Sequence, residues 1–159
     1  MKPTKSRLVI GYGDREKSDE GAGCRIAEII QQKEWKDLEG LSVPYLTPSL
    51  SSMMIRAKTV IFVSSYFLFE KMKPEIIIKH FLPDHKSNES NINYPESPFS
   101  LLSFTESIYN EKPNAFWILI PAKNHQQGDN FSTSTQAAIQ DAITYLVDQQ
   151  SIEVLHPSG

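Results

Sequence analysis

Three short apolar runs constrain this chain most: "RLVIGYG" at 7–13, "TVIFVSS" at 59–65 and "NAFWILIP" at 114–121. Continuous runs of this kind are typical of central strands covered on both faces. Helical patterns lie between them. In "EGAGCRIAEIIQQ" (20–32), Ile26, Ile29 and Ile30 fall at helical spacing, with Cys24 on or near that face. "TPSLSSMMIRAK" (47–58) opens with a Thr-Pro pair suited to a cap and first turn. "SPFSLLSFTESIYN" (97–110) is an amphipathic helix capped by Ser97, with Pro98 in its first turn. "TQAAIQDAITYLVDQ" (135–149) presents Ala138, Ile139, Ala142, Ile143 and Leu146 on one face, and the tail beyond it is weakly patterned.

Two further strands complete the set. "LEGLSVPYL" (38–46) is short and broken by Pro44. "EIIIKHF" (75–81) follows its predecessor too closely for a helical crossover and is expected antiparallel to its neighbour. The polar stretches 83–98 and 122–134 read as loops, and the length of the first marks it as functional or mobile. Alternating strands and helices predict one α/β domain, with three layers and a twisted, mostly parallel sheet of about five strands. Ligands of such sheets bind beyond the carboxyl ends of the strands, here residues 11–20, 64–70 and 121–130.

Composition narrows the function. The 159 residues suffice for one domain with a real core, and a net charge of -3 without a basic stripe argues against nucleic acid as the main partner. Cys24 is the only cysteine, so neither an internal disulfide nor a multi-thiolate zinc site can form, and a reducing cytoplasm fits. No apolar run reaches about 18 residues, so no membrane span is expected. The opening "MKPTKS" lacks the apolar core of a signal peptide.

The residues with chemical potential gather after the first run, in "GYGDREKSDEGAG" at 11–23. A dinucleotide fingerprint fails, because Glu16 stands where the third glycine belongs, and no Gly-Lys-Ser/Thr makes a phosphate loop. The adjacent carboxylates Asp19 and Glu20 suit three roles: metal ligands, an acid–base pair, or caps on a helix N-terminus. The flanking Gly11, Gly13, Gly21 and Gly23 allow close approach of another chain or a ligand. Ser64 and Ser65 close the second run but lack a nucleophile elbow, and Cys24 reads as a small buried residue. Among the histidines, His80 falls on a strand and His156 in the tail, whereas His85, beside Asp84, and His125 fall in loops. The cluster Tyr66, Phe67, Leu68, Phe69 and Met72 either packs on a helix or forms an apolar rim that binds a protein partner.

Taken in order, these segments resemble the [NiFe]-hydrogenase maturation endopeptidases. "GYGDREKSDEGAG" is similar to that family's opening Gly-x-Gly-Asn-x-Leu-x-x-Asp-Asp/Glu-Gly-x-Gly, with Asp14 for the usual Asn and Glu16 for the usual Leu. "LTPSLSSMMIRAKTVIFV" resembles its Leu-Thr-Pro-Glu-Leu segment and central strand. "SPFSLLSFTESIYNEKPNAFWILIPA" and "NHQQGDNFSTSTQAAIQDAI" resemble its later helix, strand, closing loop and last helix, so that the likeness spans roughly 7–147. The resemblance implies a five-stranded sheet with helices on both faces. It also implies a protease that removes the C-terminal peptide of a hydrogenase large-subunit precursor, after nickel delivered with that substrate is in place.

The family's three nickel-facing side chains transfer unevenly. Its Glu falls on Glu20, its Asp on Ser64, and its His on Tyr94. Hydroxyls are poor ligands for a borderline ion. Losing two ligands costs at least ~10²–10⁴-fold in affinity, about 3–5.5 kcal/mol. Two expectations follow from this departure. Either a rebuilt site joins Glu20 to His85 or His125, or the chain is a non-catalytic homologue that binds the precursor.

Overall fold

The computed structural model describes residues 6–81 and 97–155, the side chains of 149–155 excepted. Five strands, β1 (Arg7–Tyr12), β2 (Leu38–Val43), β3 (Thr59–Phe67), β4 (Ile77–Phe81) and β5 (Asn114–Ala122), form one sheet in the order β2-β1-β3-β5-β4. The first three pairings in that order are parallel, and β4 runs antiparallel to β5 with Ile77 opposite Leu119. Nine residues join β3 to β4, too few for a crossover helix, so β4 returns along the outer side of β5.

Four helices cover the sheet: α1 (Ala22–Lys33), α2 (Ser51–Met54), α3 (Pro98–Tyr109) and α4 (Thr133–Leu155). On one face Ile26 and Ile30 of α1 and Ala138, Ala142 and Leu146 of α4 pack on Val9, Ile61, Val63 and Ile120. On the other, Met54, Leu101 and Leu102 pack on Leu8, Ile10, Val60 and Phe62. Both faces of β1 and β3 are therefore dry, which is why their sequences are continuously apolar.

Several boundaries differ from the sequence reading. A 3-10 turn, Ser18–Gly21, precedes α1, so the helix begins two residues later than periodicity suggests. The segment 47–58 makes a short turn at Pro48–Leu50 and then only the four residues of α2. The strand at 38–46 ends at Val43, before Pro44 can interrupt its ladder. β3 runs on to Phe67, and α4 takes in the weakly patterned tail as far as Leu155. Ser97 caps α3 as expected, accepting from the N–H of Phe99 at 3.1 Å. Most of the loop 83–98 lies outside the described residues.

Candidate active site

β1 connects to β2 on one side while β3 lies on the other, so the chain changes direction across the sheet between β1 and β3. The crevice beyond the carboxyl ends at such a point is where open α/β sheets bind ligands. Here it is built by two loops, 13–21 after β1 and 123–132 after β5, which meet over the end of β3.

Backbone bonds zip these loops together. Gly128 donates to the Glu16 carbonyl at 2.6 Å, Ser18 to that of Gly128 at 2.8 Å, and Asp19 to that of Asn124 at 3.0 Å. The Ser18 hydroxyl donates to the Gln126 carbonyl at 2.8 Å. Ser18 holds φ of 49°, a left-handed conformation that a non-glycine residue keeps only when its surroundings fix it. Asp14 shapes the start of the first loop by accepting from the N–H of Glu16.

Asp19 is the centre of this clasp. Its carboxylate accepts from the N–H groups of Lys123, Asn124 and Ser132 at 2.9, 2.7 and 2.8 Å, and from the Ser132 hydroxyl at 2.7 Å. Burial alone would raise its pKa, but these four bonds outweigh it and hold the carboxyl below the usual range. The capping role open to Asp19 and Glu20 is not taken: Gly21 occupies the cap of α1 without a side-chain bond. Asp19 instead reaches across the sheet end to the opposite loop.

Glu20 reaches across as well. Its Oε2 lies 2.7 Å from Nδ1 of His125, with both side chains about one-third exposed, at 32% and 29%. A carboxylate only accepts, so the neutral ring carries its proton on Nδ1 and leaves Nε2 as a lone pair. That Nε2 is buried and has no hydrogen-bond partner among the described residues. Phe67, at the end of β3, stacks on the same ring at 4.8 Å and 8° and sets its plane. The pair thus has a fixed orientation and one unused basic nitrogen.

The other expected residues are distributed differently. Ser64 is buried and accepts from the Trp117 indole N–H at 2.9 Å. Trp117 packs with the α2–α3 side of the core, so Ser64 and Phe67 turn to opposite faces of β3. His80 stacks on Phe116, whose backbone pairs with it across the β4–β5 ladder. Tyr94, Asp84, His85 and His156 lie outside the described residues. Burial pushes the Cys24 thiol up from its ordinary value, which suits a packed residue and not a nucleophile.

The motif glycines serve the chain itself. A Cβ on Gly11 would sit 1.9 Å from the Gly23 carbonyl oxygen, and one on Gly23 would sit 2.2 Å from that of Val63. Their close approach joins α1 to β1 and β3 and admits no ligand. Gly13 adopts φ of 143° against the Glu20 backbone, and Gly21 lies close to Arg15. Among the described residues no helix covers Phe67, Phe69 and Met72, which are 59%, 64% and 40% exposed.

Sequence reasoning missed Ser132, the partner of Asp19, and Trp117, the partner of Ser64. A polar loop rich in Ser and Asn was the only signal for the first. Nothing in an apolar strand signalled the second.

Among the described residues no group of three His, Cys, Asp or Glu side chains could hold a metal ion, and no helix is long and apolar enough to cross a membrane. No protein-family model matches the chain, and no curated protein matches it in sequence. Solved structures do match. One is the [NiFe] hydrogenase maturation protease HybD from Thermococcus kodakarensis, 17% identical, with 90% of this chain and 97% of that one covered at a TM-score of 0.69. Another is a hydrogenase 2 maturation peptidase from a Thaumarchaeota archaeon, 21% identical, covering 94% of this chain and all of that one at 0.69. The hydrogenase maturating endopeptidase HybD from E. coli is 18% identical, covering 96% and 93% at 0.66. The chain therefore has the fold of these proteins along nearly its whole length.

Proposed function

We propose that this chain is a hydrogenase maturation endopeptidase working in the cytoplasm as a single domain. Its substrate is a [NiFe]-hydrogenase large-subunit precursor, from which it removes the C-terminal peptide. The observation that carries this reading is the Glu20–His125 pair, held at 2.7 Å at the direction change of the sheet. The shared fold, and the place of Glu20 in the opening motif, add support.

The residues fit a substrate that brings its own metal. A resident centre needs three or four ligands; Glu20 and His125 supply two. Nickel carried by the precursor needs fewer from this chain. Carboxylate oxygen and imidazole nitrogen suit such an ion, whereas the Ser64 hydroxyl is poor and already bonded to Trp117. In this reading Glu20 has a division of labour: Oε2 orients His125, and Oε1, which makes no hydrogen bond among the described residues, is left to meet the nickel of the bound substrate. Once bound substrate opens a path to His125 Nε2, which is buried in the free protein, that nitrogen takes a proton from the water that attacks the scissile carbonyl. It returns that proton to the amine released when the C–N bond breaks.

The test is C-terminal trimming of the nickel-loaded precursor from the same source, followed by mass spectrometry. Wild-type protein is expected to release the peptide, and Glu20→Gln and His125→Ala to lose at least about 10²-fold in rate. Precursor that stays bound but untrimmed by wild-type protein would overturn the reading in favour of a non-catalytic binding homologue.

A further inference from the structure

The two parallel neighbours of β3 have unequal reach. β5 pairs with it from Thr59 to Phe67, but β1 stops at Val63, opposite Gly11. Ser65, Tyr66 and Phe67 therefore extend past Tyr12, the last residue of β1, with one edge unpaired among the described residues. The register identifies which backbone groups line that edge. Leu68 donates its N–H to the Ala122 carbonyl, so Leu68, and by strand alternation Tyr66 and Ser64, point toward β5. Ser65 and Phe67 then turn their N–H and C=O groups the other way. These groups have no backbone partner among the described residues.

We propose that this edge receives the precursor's C-terminal segment as an added strand, bonded to the backbone of Ser65 and Phe67. The inference rests on the function proposed above and specifies how the substrate is held. Two donor–acceptor pairs two residues apart, about 6.6 Å, match the repeat of an extended chain and not that of a helix. The adjoining side chains fit the same occupant. Phe67 and Phe69 lie 5.1 Å apart between ring centres and are largely exposed, which offers an apolar seat to side chains of a bound strand. Phe67 also stacks on His125, so a chain bonded to its backbone passes beside the Glu20–His125 pair. An unpaired edge with exposed aromatics is an aggregation hazard unless something covers it. Here the covering chain is the one to be cut.

Amide hydrogen exchange followed by NMR tests this. In the free protein Tyr66 and Leu68 should exchange slowly and Ser65 and Phe67 fast. Adding a synthetic peptide that spans the precursor's scissile bond should slow Ser65 and Phe67 by at least about tenfold, the worth of one hydrogen bond. Ser65→Pro removes an edge N–H without breaking the β5 ladder, and should weaken peptide binding about tenfold while leaving the thermal midpoint in place. Fast exchange at Ser65 and Phe67 that persists with peptide present, whether the peptide is bound elsewhere or not bound, overturns the proposal. So does slow exchange at both in the free protein. Trimming without protection would remove this docking mode and leave the activity. Protection without trimming would do the reverse.

Discussion

A buried carboxylate that accepts four hydrogen bonds controls the geometry of this site. Asp19 is fully buried, and its partners belong to the far loop and the approach to α4. Asp19→Asn keeps one acceptor oxygen but turns an NH₂ toward N–H donors, so it should cost about 2–3 kcal/mol at neutral pH. The sign of the pH dependence follows from the lowered folded pKa. Asp19 binds its proton more readily in the unfolded chain. Its contribution is complete above the ordinary carboxyl value of about 3.9, and is lost as pH falls through the lower folded value. Urea unfolding of both proteins should show a constant gap above about pH 5 and a shrinking gap under stronger acid. A gap that widens on acidification would contradict this role. Residue-level detail of this kind was only half legible in the sequence. The opening motif marked Asp19 and Glu20 as important, but the residues their carboxylates bond lie 104 or more positions further along the chain. Local pattern has no access to such pairings.

At the scale of elements, the helix–strand contact beneath the site depends on missing side chains. Gly23 brings the first turn of α1 against the Val63 carbonyl, and a methyl group there meets backbone that cannot rotate away. Gly23→Ala should cost about 3 kcal/mol, the upper end for overpacking, and shift the urea midpoint accordingly. An unchanged midpoint would show that α1 can slide without loss. The element types were legible because burial on both faces writes a continuous apolar run, as in β1 and β3, and burial on one writes a periodic stripe, as in α4. The ends were less legible. α2 stops after four residues, and Arg56 and Ala57 close it with tightened turns onto the Met53 and Met54 carbonyls. β3 outruns its apolar run because Ser64 and Ser65 stay in the β5 ladder, their polarity answered in part by Trp117.

At the scale of the whole molecule, sheet order turns distant segments into one site. β3 lies between β1 and β5, and the loops that leave those two strands close over its end. Strand order is not written in any local stretch; the ordered resemblance along the chain implied five strands with helices on both faces, which the solved structures match in fold, but not the order in which the strands lie. The central claim is that Glu20 and His125 act as one unit. A double-mutant cycle on the trimming rate tests it most directly, using Glu20→Gln, His125→Ala and the combination with the nickel-loaded precursor. Residues that act as a unit are strongly non-additive. The double variant should therefore be no slower than the worse single variant, within about twofold. Losses that multiply, or a full rate in either single variant, would contradict the claim.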